Sequence, residues 1–104
     1  MSSRRTRRAR AVVTGAGSGI GRAFAVEIAR RGGQVLCADI DQDRAHATVE
    51  IIERADRGRA SAYFCDVSQV DDMRALADRA REYFSGPTSL MINNAGVGIG
   101  GRAV

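Results

Sequence analysis

The chain has 104 residues, 44% of them apolar and 27% charged, with a net charge of +4 at pH 7. That length bounds it to one domain at most. No apolar run approaches the ~20 residues of a membrane helix, and the basic N-terminus has no apolar core behind it, as a secretory signal would. Five of the 16 basic residues fall within the first ten, and the other 11 face 12 acidic groups. The basicity is therefore a leader, residues 1–10, expected to be a solvated disordered extension. It is not the basic folded face of a nucleic-acid-binding domain. Residues 11–104 form the expected domain.

The elements follow in order. Ala11-Val12-Val13 is a short apolar strand. Thr14 to Gly21 is a glycine-rich turn, and Ile20, Ala23, Phe24, Glu27 and Ile28 begin a helix-period pattern that runs to about Arg31. Gly32-Gly33 supplies the stop, because glycine accepts the left-handed conformation of a helix end. Gln34 to Asp39 is a continuous apolar run ending in an acid, as expected of a strand buried on both faces. Asp41 can cap a second helix from about Gln42 to Arg57, with Ala45, Val49 and Ile52 on one stripe and Gly58 at its end.

The third strand is expected over Ala60 to Cys65, followed by Asp66-Val67. Ser68 with Asp71 three residues on has the spacing of a capping box. Val70, Met73, Leu76, Ala77, Ala80 and Phe84 then mark a third helix, broken at Ser85-Gly86-Pro87. Ser89 to Asn93 is the fourth strand, and a glycine-rich tail closes the chain. Cys37 and Cys65 lack metal-ligand spacing and the chain has one His. They read as small buried residues of a reducing compartment, with no metal site.

Strict alternation of short strands and amphipathic helices implies a parallel sheet. With right-handed crossovers, strands one to three step outward in one direction and the fourth returns beside the first. The expected order is 3-2-1-4, with a crevice between the carboxyl ends of strands one and four. Ligands bind at such a switch point. A glycine turn there aims backbone N–H groups outward at the positive end of a helix, which suits a pyrophosphate.

The glycine spacing discriminates among phosphate loops. G-x-G-x-x-G fails, since it would need glycine at Ile20 or Arg22. The P-loop fails because the chain contains no Lys. Thr14-Gly15-x-x-x-Gly19-x-Gly21 does fit, and Asn93-Asn94-Ala95-Gly96 follows the fourth strand. Together these resemble the short-chain dehydrogenase/reductase family over about residues 11 to 98. The resemblance implies a Rossmann-like doubly wound α/β sheet, truncated after its fourth strand, and an oxidoreductase of which this is the cofactor-binding half. It implies NAD against Gly15, Gly17, Ser18, Gly19, Ile20 and Gly21, with Asp39 on the ribose. Asp66 and Val67 would meet the adenine, and Asn93, Ala95 and Gly96 would lie against the rest of the cofactor.

An acid at Asp39 repels a 2′-phosphate and so favours NAD over NADP. The places where NADP-preferring relatives put a basic residue hold Ile40 and Ser18. The resemblance further implies a small alcohol or ketone substrate, a homo-oligomer for the complete enzyme, a cytoplasmic location, and neither nucleic acid nor membrane as partner. The family's catalytic Tyr-x-x-x-Lys cannot be met without Lys: Tyr63 and Tyr83 are followed four residues later by Val67 and Pro87. No catalytic residue is assigned. A non-catalytic NAD-binding module remains the alternative reading.

Overall fold

The computed structural model describes residues 9–94. Four strands and three helices alternate: β1 (Arg10–Thr14), α1 (Gly19–Arg30), β2 (Gln34–Asp39), α2 (Gln42–Ala55), β3 (Arg59–Phe64), α3 (Val70–Phe84) and β4 (Leu90–Asn93). The strands form one parallel sheet in the order β3-β2-β1-β4, the arrangement expected from the crossover rule.

Side chains alternate across a strand, and both faces of this sheet are covered. Ala11 and Val13 of β1, with Val35 and Cys37 of β2, pack with Ala25, Ile28, Val49 and Ile52 of α1 and α2. Val12, Leu36 and Ala38 point the other way, onto Leu76, Ala80 and Phe84 of α3. Such two-sided burial is why β1 and β2 read as unbroken apolar runs rather than as alternation. Leu36 is fully buried, which is worth about 1.5–3 kcal/mol for a side chain of that kind.

Several boundaries move, each for a local reason. Arg10 belongs to β1, and Ala9 is buried with its carbonyl accepting from Gln34 N at 2.8 Å. Ordered chain thus reaches into the stretch expected to be a leader, while residues 1–8 lie outside the described residues. α2 stops at Ala55 because Asp56 takes a left-handed conformation (φ 54°), its amide bonding Glu53 O. β3 begins one residue early, since Arg59 pairs with Gln34 of β2. The expected capping box does not form. Ser68 donates its hydroxyl and its amide to Asp66 Oδ1 at 2.7 and 3.0 Å, and Gln69 becomes the N-cap of α3.

At the opposite side of the sheet, Leu90 and Met91 of β4 remain partly exposed, at 38% and 48%. A cavity of about 430 Å³ lies between β4 and α3, with Leu76, Ala80, Leu90 and Met91 in its wall. Among the described residues no helix is long and apolar enough to cross a membrane. Both cysteines are buried and unpaired with each other, and burial pushes the Cys37 thiol up to about 12.

A candidate dinucleotide site at the carboxyl ends of the strands

Three strand ends converge on the turn between β1 and α1. The turn starts with Gly15 at φ 65°, a left-handed conformation that glycine accepts at little cost. Its peptide chain then crosses the end of β2, where Ala16 N donates to Ala38 O at 3.1 Å. Gly17 is buried, and its amide donates to Asp39 Oδ2 at 2.8 Å. A Cβ on Gly17 would sit 2.7 Å from that oxygen and 2.6 Å from Arg44 Cβ. Glycine is therefore required there by close approach.

Gly21 is the closest packing point. A Cβ on it would run into the Gly15 carbonyl and come within 2.8 Å of Asn94 Nδ2. This contact seats the first turn of α1 on β1. Between these two glycines the chain faces outward. Ser18, Gly19 and Ile20 are exposed, and a Cβ on Gly19 would meet nothing within 4 Å. Ser18 is the N-cap of α1 but makes no side-chain cap bond, and the first turn carries no acid. The positive end of α1 is thus left uncapped beneath open space, the chemistry that accepts an anion. α2 differs, because Asp41 accepts from Arg44 N at 3.2 Å and Asp43 stands in its first turn.

Asp39 lies at the edge of this cradle. Besides Gly17 N it accepts Asp41 N at Oδ1, 2.9 Å. Each carboxylate oxygen has capacity beyond one bond, so the group is oriented without being saturated. Cys65 N donates to Asp39 O at 3.1 Å, which brings Asp66 and Val67 to the same rim, both half-buried. The Ser68 hydroxyl and amide hold the Asp66 carboxyl below its ordinary range. Asp72 Oδ2 accepts Asp66 N at 3.0 Å and fixes the turn.

The other lip is tied by Thr14. Its buried hydroxyl accepts Asn94 N at 2.9 Å and donates to Asn93 Oδ1 at 3.0 Å, joining the ends of β1 and β4. Asn94 Nδ2 reaches toward Gly15 O at 3.4 Å. Ala95 and Gly96 lie outside the described residues.

This arrangement is matched in known proteins. Residues 9–103 match the short chain dehydrogenase family. The chain belongs to that family. It is 40% identical over 102 residues to a mouse (3R)-3-hydroxyacyl-CoA dehydrogenase, a match covering 92% of this chain and 39% of that protein. It is 39% identical over 88 residues to a 7alpha-hydroxysteroid dehydrogenase of Escherichia coli strain K12, covering 85% of this chain and 34% of that protein. A crystal structure of a hydroxysteroid dehydrogenase from Escherichia coli superimposes with a TM-score of 0.83 at 34% identity, over 92% of this chain and 40% of that one. The chain spans about two fifths of the length of such relatives. Short-chain dehydrogenases bind a dinucleotide, NAD or NADP, and the uncapped α1 and the oriented Asp39 are suited to one.

Sequence reasoning missed four contributors. Thr14 reads as the first letter of the glycine motif, and Asn94 as its neighbour's duplicate. Arg22 donates to Gly17 O at 2.7 Å and to Thr48 Oγ1 at 2.9 Å, and Thr48 donates to Ala16 O at 2.7 Å. A signal existed for Thr48, a hydroxyl beside the apolar stripe of Ala45, Val49 and Ile52. Arg22 offered none, since an arginine after a helix start is commonly solvated.

Proposed function

We propose that the chain binds NAD across the carboxyl ends of β1, β2 and β4, as the cofactor-binding half of an oxidoreductase acting on an alcohol or carbonyl substrate. The observation that carries this is the 2.8 Å bond from Gly17 N to Asp39 Oδ2, which puts a phosphate-type loop and a ribose-type acid side by side. On this reading the diphosphate lies over Gly15, Gly17, Ser18, Gly19, Ile20 and Gly21. Asp39 accepts the two ribose hydroxyls, Asp66 and Val67 meet the adenine, and Asn93, Ala95 and Gly96 lie toward the nicotinamide end. A bound nicotinamide supplies the hydride chemistry. The chain's own part is to grip the diphosphate on main-chain amides, orient the sugar, and hold the β1 and β4 ends together through Thr14.

NAD is preferred over NADP because a carboxylate at the ribose repels a 2′-phosphate, with Ser18 and Ile40 offering no positive charge to offset it. The mouse and Escherichia coli relatives are named for hydroxyacyl-CoA and hydroxysteroid substrates; a secondary alcohol or its ketone is the substrate class we infer from them. Two buried thiols suit a reducing, cytoplasmic setting. A second reading is a non-catalytic NAD-binding module; these 104 residues contain no Lys and therefore no Tyr-x-x-x-Lys. Titrating NAD and NADP, then assaying turnover on the same sample, separates the readings. Tighter NAD than NADP supports the site; absence of binding to either sinks both. Binding without turnover of secondary alcohols favours the module.

A further inference from the structure

We propose that Arg22 and Thr48 are positioning residues that set the glycine loop for its ligand from below; the inference rests on the dinucleotide reading above. Thr48 sits in the middle of α2 with no exposed surface. A buried hydroxyl is unfavourable unless it is hydrogen-bonded, and a valine would fill the same volume. Here the hydroxyl has three polar neighbours, the third being Arg44 O one helical turn back at 3.3 Å. It accepts from Arg22 Nε at 2.9 Å and donates to Ala16 O at 2.7 Å. Arginine only donates, so its Nε–H directs the Thr48 proton away from itself, and of the two carbonyls in reach the shorter bond goes to Ala16 of the loop.

Arg22 Nη2 meanwhile donates to Gly17 O at 2.7 Å. The carbonyls of two successive loop residues are thus both held, Ala16 O by Thr48 of α2 and Gly17 O by Arg22 of α1. In a planar trans peptide the C=O and the following N–H point in opposite directions. Fixing Ala16 O therefore aims the Gly17 amide at Asp39 Oδ2, where it is found. Fixing Gly17 O sets the Ser18 amide on the opposite side of that peptide, away from the Arg22 guanidinium. The planar guanidinium is suited to this, since its donors are held in one fork. Arg22 of α1, itself held by Thr48 of α2, thereby sets which way a ligand-facing amide points.

The test compares Thr48→Val, Thr48→Ser and Arg22→Gln with the unaltered chain. Binding of NAD, ADP and adenosine is followed by NMR titration, with amide shifts of Gly17 and Ser18 recorded before ligand is added. Thr48→Val is expected to weaken NAD and ADP about tenfold, the effect of one lost hydrogen bond. It should move the two amide shifts and weaken adenosine, which has no phosphate, less than ADP. Thr48→Ser should restore both. Arg22→Gln, at a half-buried position, should weaken NAD and ADP likewise, and it carries the test if Thr48→Val does not fold. NAD binding unaltered in either variant overturns the clamp alone. So does an equal loss for adenosine and ADP, or a serine variant that fails to rescue. An unaltered chain that binds neither NAD nor ADP overturns the cofactor reading and the clamp together.

Discussion

Gly17 and Asp39 are joined by a main-chain amide and a carboxylate oxygen 2.8 Å apart. The turn after β1 and the end of β2 are therefore one unit, and a change at Asp39 has two consequences. Asp39→Ala removes the acceptor proposed for the ribose and also frees the Gly17 amide. A hydrogen bond to a charged group contributes about 1.5–3 kcal/mol, so NAD affinity should fall about ten- to a hundredfold. NADP should lose less, because the repulsion of its 2′-phosphate disappears. Calorimetric titration of both cofactors measures the ratio. A variant that keeps the original selectivity would remove Asp39 from the ribose.

Gly21→Ala tests the seat of α1. The added methyl overlaps the Gly15 carbonyl, which is backbone and cannot swing aside. Overpacking of this kind costs about 1–3 kcal/mol, occasionally more. For a chain of this size that is a fall in melting temperature on the order of 4–8 °C per kcal/mol. Gly19→Ala meets open space but must hold a left-handed φ of 56°, so its cost should be smaller and purely conformational. Thermal melts of the two variants should rank Gly21→Ala as the more damaging.

The fold was legible because its signals were redundant. β1, β2 and β4 coincide with apolar runs, and Gly15, Gly32 and Gly58, all at positive φ, punctuate the elements. Asp39 could be found because it ends a strand that is otherwise apolar. The supporting bonds were not legible. Whether Thr48 faces Arg22 depends on how α1 packs on α2, a tertiary fact that no window of sequence contains. Ser68 failed as a cap for a related reason: Asp66, two residues back, competes for its hydroxyl and wins. Thr14 was visible as a motif letter, but its partners Asn93 and Asn94 come from the far end of the chain.

Cys37 supplies a pH prediction. Its thiol is fully buried, and burial raises it from 9.0 to about 12. A group whose folded value exceeds its unfolded value contributes stability that is complete below the unfolded value and is lost as pH rises toward the folded one. The chain should therefore lose stability between about pH 9 and 12, and Cys37→Ala should flatten that alkaline limb. Denaturant titrations across this range measure it. At pH 8 a thiol reagent should label neither cysteine until denaturant is added, since Cys65 is buried as well.

Thr14→Val tests whether the β1 and β4 ends form one lip. Valine keeps the volume and the branching at Cβ but deletes the oxygen that accepts Asn94 N and donates to Asn93 Oδ1. An amide left without its acceptor at a partly buried position costs about 1–3 kcal/mol. The loss should appear as earlier denaturant unfolding, and as faster amide hydrogen exchange at Asn94 while Val12 and Leu36 in the sheet interior exchange as before. Thr14→Ser keeps the oxygen and should retain most of the protection at Asn94. Because Asn94 Nδ2 also approaches Gly15 O, release of the β4 end should loosen the start of the glycine turn and weaken NAD modestly. Equal exchange at Asn94 in the threonine and valine proteins would mean that main-chain pairing of β4 with β1 alone holds the two strand ends.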